Sequence, residues 1–123
     1  MADVAIWAAV VLSATWALTH LVLGGRQVAR PLRDDRTLDP TVRATVWMCW
    51  HMVTVTLFTI PLFFALGALG RAGFTASGTV LAGAIAAAGV FAPLALGTTF
   101  RVLPQGLLFV PVAALGAFGL MAG

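Results

Sequence analysis

The chain has no lysine and no glutamate, a single cysteine and two histidines, and its charge is carried by seven Arg and four Asp. Each scarcity narrows the chemistry. With Cys49 alone, neither an internal disulfide nor a zinc site built from several thiolates can form. Every Asp lies at position 3 or between residues 34 and 39. No Ser/His/Asp set for nucleophilic catalysis can therefore assemble within the apolar stretches. A carboxylate inside a span, the usual proton carrier of small coupled transporters, is missing too. No phosphate-cradling glycine loop occurs. A pI near 11.2 would point to nucleic acid in a soluble protein, but there is no basic stripe interleaved with aromatics. These exclusions read as a non-enzyme with no nucleic-acid partner.

What is present is apolar. A soluble domain is about 45–50% apolar and about 25% charged. This chain is 61% hydrophobic and 9% charged, with a mean hydropathy of +1.03. That excludes disorder, a coiled coil and an ordinary water-soluble domain, and makes lipid the main solvent. Membrane spans of about 20 residues are predicted at 4–23, 44–69, 77–97 and 103–121, in a single domain of 123 residues. The first is read as a retained helix, because Met-Ala-Asp supplies no positive flank for a signal peptide. Gly24-Gly25 is expected to end it, since glycine takes the left-handed C-terminal conformation. Asp39-Pro40 predicts a helix start, with Asp as N-cap and Pro in the first turn. Pro61 is expected to kink span two. Pro93 falls near the end of span three and Pro111 inside span four.

The loop 26–43 carries Arg26, Arg30, Arg33, Arg36 and Arg43 against Asp34, Asp35 and Asp39. Arginines mark the cytosolic side of membrane proteins. With this loop inside, Arg101 joins it and only Arg71 lies outside, so both termini are expected outside. In a bacterial inner membrane the outside is the periplasm. Arg26, Arg30 and Arg33 form a candidate docking patch for acidic lipid or a protein partner, although three Asp dilute the loop. An orientation signal alone also accounts for them.

The most specific motif is W-x-x-x-H, which occurs twice: Trp16–His20 in span one and Trp47–His51 in span two. Residues four apart share a helix face. His20 lies six residues before Arg26 and His51 eight after Arg43, about 9 and about 12 Å below the inner boundary at ~1.5 Å per residue. Adjacent helices would hold both imidazoles at one level. If they converge, they can be axial ligands of a b-type haem or another tetrapyrrole, with Trp16 and Trp47 beside them and arginines for the propionates. A bland alternative is that each imidazole hydrogen-bonds to a Thr, Ser or the other ring and locks the two spans together. A third is a polar channel or transport path through His20, Thr19, Thr54 and His51.

Small residues crowd spans three and four. Gly83/Ala87 and Ala82/Ala86 have the small-x-x-x-small spacing that lets helices approach closely, and Gly116 adds a small residue on span four; such contacts form either within the bundle or against another chain. Phe58, Phe63 and Phe64 are read as lipid-facing or core filler.

The segments THLVLGGR, WMCWHMVT and Pro-Gln-Gly-Leu-Leu-Phe resemble, with the overall layout, small four-helix bacterial integral membrane proteins. That resemblance implies a fold and a location, but no activity. Small multidrug exporters are similar in length and span number, yet they need an acidic residue in the first span that is absent here. The expectation is an all-α bundle of four transmembrane helices, N-out and C-out. It is read first as an accessory or scaffold subunit that associates with itself or with an energy-transducing membrane complex.

Overall fold

The structure is a computed structural model that describes residues 1–71, 73–101 and 103–123. The polar turn expected at 71–76 therefore includes one position, Ala72, outside the described residues. Among the described residues there is no strand. Four helices are long and apolar enough to cross a membrane: Ala2–Asp34, Pro40–Ala68, Phe74–Ala95 and Gln105–Ala122. Helices are the natural answer to lipid, because each segment satisfies its own backbone hydrogen bonds.

The first of these rods has three parts. Helix α1, Ala2–Thr19, passes into a π-helical segment, His20–Ala29, and then into α2, Arg30–Asp34. Helix α3 spans Pro40–Ala68 and α4 spans Phe74–Ala95. A 3-10 turn, Gln105–Phe109, leads into α5, Val110–Ala122. α1 packs on α3 and α5, and α4 packs on the same two helices. The rods thus form a closed ring in which sequence neighbours are also spatial neighbours.

Both termini share one end of the ring. A Cβ on Gly119 would meet Ile6, and one on Gly123 would lie 3.6 Å from the Cβ of Ala2. A groove there is lined by Ile6, Arg71, Gly73, Thr75, Gly119 and Gly123, which puts the α3–α4 turn at the same end. The turn at 35–39 and residues 96–101 lie at the other end, with Arg26, Arg30, Arg33, Arg36, Arg43 and Arg101.

Gly24-Gly25 does not end the first helix. Neither residue takes positive φ, and the chain stays helical to Asp34. The reason is packing. A Cβ on Gly24 would sit 2.7 Å from the Trp50 ring, so this glycine is a bare surface against α3 rather than a stop. The loop expected at 26–43 shrinks accordingly to a turn at 35–39. The Asp39-Pro40 start is as predicted: Asp39 Oδ1 accepts from the N–H of Thr41 at 2.8 Å. α3 and α4 close with left-handed glycines, Gly70 and Gly97. At Gly97 the Thr98 N–H reaches the Pro93 carbonyl at 3.0 Å, the bond of a Schellman cap.

Span four begins differently from its expected limit. The α-helix proper starts at Val110, with Pro111 in its first turn, where a missing N–H costs nothing. The 3-10 lead brings Gly106 against Gly89, and a Cβ on either would collide with the backbone of the other. At the centre, Phe64 is fully buried. Its ring fills space left by Gly78 and Gly116, so Gly116 packs inside the bundle. Phe58, by contrast, is 37% exposed.

Candidate functional site

The two W-x-x-x-H motifs behave differently. On α3, Trp47 and His51 do pair, edge to face, with ring centroids 4.6 Å apart. On the first rod, His20 stands where the π-helical turns begin. Its ring stacks on Trp50 of α3 instead, at 4.0 Å and 14°. Trp16 packs against the apolar core, and its buried indole Nε1 has no hydrogen-bond partner among the described residues. Trp50, Thr54 and Gly24 are the participants that the motif does not reveal.

His20 Nε2 lies 3.2 Å from Thr54 Oγ1. The single hydroxyl proton of Thr54 is donated to the Trp50 carbonyl, 2.8 Å away. With that proton committed, Thr54 offers the imidazole a lone pair, an arrangement that suits the tautomer protonated at Nε2. His20, Gly24, Trp50 and Thr54 form one interlocked seam: the imidazole stacks on the indole, the outer end of the indole abuts bare glycine, and the imidazole edge is held by the hydroxyl.

His51 shares the level of that seam, being next to Trp50, but not its direction. One residue is about 100° around a helix of 3.6 residues per turn. His51 is exposed and borders a groove of about 330 Å³ lined by Leu21, Val22, Gly25, Arg26, Ala29, Arg30, Trp47 and Trp50. His20 does not line it. Arg33, the third candidate docking residue, is turned to other partners. Its Nε bonds Asp34 at 2.8 Å and its guanidinium carbon lies 5.1 Å from the Trp47 centroid. The structure thus gathers Arg26, Arg30, His51, Trp47 and Trp50 at one groove, with Arg33 on its aromatic wall.

Bis-histidine ligation of a haem does not fit this packing. The imidazoles open in different directions, and the Nε2 edge of His20 is taken up by Thr54 Oγ1 at 3.2 Å. The polar path through four residues also breaks. His20 and Thr54 meet, whereas Thr19 donates to the Thr15 carbonyl at 2.8 Å and His51 faces outward. No protein-family model, curated protein or solved structure matches the chain.

The small residues of α4 separate into two faces. Gly78, Ala82 and Ala86 are buried in the bundle. Gly83 and Ala87 are on the other side: a Cβ on Gly83 would meet nothing within 4 Å, and Ala87 is exposed.

Proposed function

We propose that this chain is a small non-enzymatic component of a bacterial inner membrane, with both termini in the periplasm. It associates through the outer face of α4, either with a second copy or with a subunit of an energy-transducing complex. The observation that carries this reading is the outward stripe Val80, Gly83, Ala84, Ala87 and Phe91. Its centre is made of small side chains, while Val80 and Phe91 are 72% and 68% exposed at its ends. Helices in lipid gain little from apolar burial against each other, and small-x-x-x-small faces favour association by letting backbones approach. The orientation is supported by the gathering of all arginines except Arg71 at the end opposite the termini.

The test is the size of the complex in mild detergent for the wild type and for Gly83→Leu/Ala87→Leu. The wild type is expected to run as an oligomer or with a bound partner, and the variant as a single chain of unchanged helicity. A wild type that is a single chain without partner, or a variant that associates normally, would contradict the reading.

A further inference from the structure

The groove at the arginine end differs from the rest of the molecule in chemistry. It brings two guanidinium groups, an imidazole and two indoles to the flank of two helices. The three acidic residues nearby are engaged elsewhere. Asp34 bonds Arg33, Asp35 accepts from the N–H and hydroxyl of Thr37, and Asp39 caps α3. Among the described residues, none of them lies within ion-pair distance of Arg26 or Arg30. Asp34 lies near enough to Arg30 to feel its charge, so the dilution evident in the sequence reaches Arg30 in part, without a bond that would occupy its guanidinium. Gly25 leaves the groove floor open, since a Cβ there would meet nothing within 4 Å.

His51 also borders a second hollow. This one runs along α3 and is lined by Met48, Met52, Val55 and Thr56. It is shallow and mostly apolar, and its methionines are 55% and 61% exposed. The cationic groove and the apolar furrow therefore meet at one side chain, on the surface that faces lipid.

We propose that the two together bind an acidic glycerophospholipid. The phosphodiester lies between Arg26 and Arg30, with His51 as a further donor, and an acyl chain lies along Met48, Met52 and Val55. Arginine forks match phosphate oxygens, and basic clefts between membrane helices hold acidic headgroups. The continuous furrow is what selects lipid over a free anion, because inorganic phosphate would use the groove alone. Methionine suits the acyl part, since its flexible side chain adapts to an irregular apolar shape. This site is independent of the α4 stripe.

The full chain is placed in phosphatidylcholine nanodiscs containing a minor fraction of phosphatidylglycerol, with bromine on the acyl chains of one lipid at a time. Bromine quenches tryptophan fluorescence at close range; with Trp7 and Trp16 replaced by Phe, the signal comes from Trp47 and Trp50 beside the groove. Brominated phosphatidylglycerol is expected to quench beyond its bulk share. The enrichment is roughly fivefold per arginine, the factor equivalent to about 1 kcal/mol for each. It is expected to vanish in Arg26→Gln/Arg30→Gln and to persist in Arg71→Gln. Raising the salt should weaken the enrichment in the wild type, which gives a reading even if the double variant folds poorly. Equal quenching by the two lipids, or a preference that survives in the double variant, would overturn the proposal. Displacement of the brominated lipid by millimolar inorganic phosphate would overturn the choice of lipid as occupant.

Discussion

Adding one methyl group at each of two adjacent glycines should have opposite effects. At Gly25 a new Cβ meets nothing within 4 Å. The helix runs through it, so Gly25→Ala should stabilise by up to about 1 kcal/mol through helix propensity. At Gly24 the new Cβ would stand 2.7 Å from one Trp50 ring atom and 3.3 Å from another. The indole cannot swing aside freely, because it is stacked on His20 at 4.0 Å. Overpacking costs about 1–3 kcal/mol, and loosening the stack forfeits about 0.5–1.5 kcal/mol more. With mid-range values and the same propensity gain, Gly24→Ala should destabilise by about 2 kcal/mol. The two variants should then differ by about 3 kcal/mol. Unfolding in mixed micelles, followed by far-ultraviolet circular dichroism and by tryptophan emission, measures this directly. If Gly25→Ala destabilised, the glycines would be acting as a helix stop after all. Equal effects of the two substitutions would refute the packing of Trp50 on Gly24.

Removing the central ring is a second perturbation. Phe64→Ala should destabilise toward the lower end of about 3–5 kcal/mol, because the ring leaves contact with Gly78 and Gly116 while the gain from leaving water is largely absent in lipid. The same micelle unfolding measurement checks it, and a loss well under 1 kcal/mol would contradict the burial of this ring. A third concerns acid. The N–H of Thr41, as the main cause, holds the Asp39 carboxyl below its ordinary value. A group depressed in the folded state adds stability above the unfolded value and loses it as pH falls through the folded one. Stability should therefore decline on the acid side. Asp39→Asn, which keeps a capping oxygen, should flatten that part of the decline. An unchanged acid profile in the variant would count against the cap.

Four helices long and apolar enough to cross a membrane, and the Asp39 cap, are legible in the sequence, because hydropathy runs and capping chemistry act locally. So is the common level of the two histidines, which follows from helical rise and the position of the arginines. The direction in which each imidazole points is not legible. In a soluble helix the apolar stripe fixes rotation, but these spans are apolar on all sides, and only the shapes of neighbouring helices decide. Trp50 lay inside the motif as an unassigned letter, yet it is the residue that His20 stacks on. Gly24-Gly25 misleads for a related reason. A glycine chosen for a left-handed turn and one chosen for an indole to lie on are the same residue in sequence, and the partner across the gap is 26 positions away. The two faces of α4 show the same limit: Ala82/Ala86 and Gly83/Ala87 have identical spacing, and only the ring of helices assigns one pair to the inside.

The arrangement of the four spans is tested most directly by thiol accessibility in intact cells. With Cys49 replaced by Ser, single cysteines are placed at Ala2, Arg71, Gly123 and Arg36, and a membrane-impermeant maleimide is added before and after permeabilisation. The account predicts labelling of the first three in intact cells, and of Arg36→Cys only after permeabilisation. Labelling of Arg36→Cys in intact cells, or protection of either terminus, would contradict it.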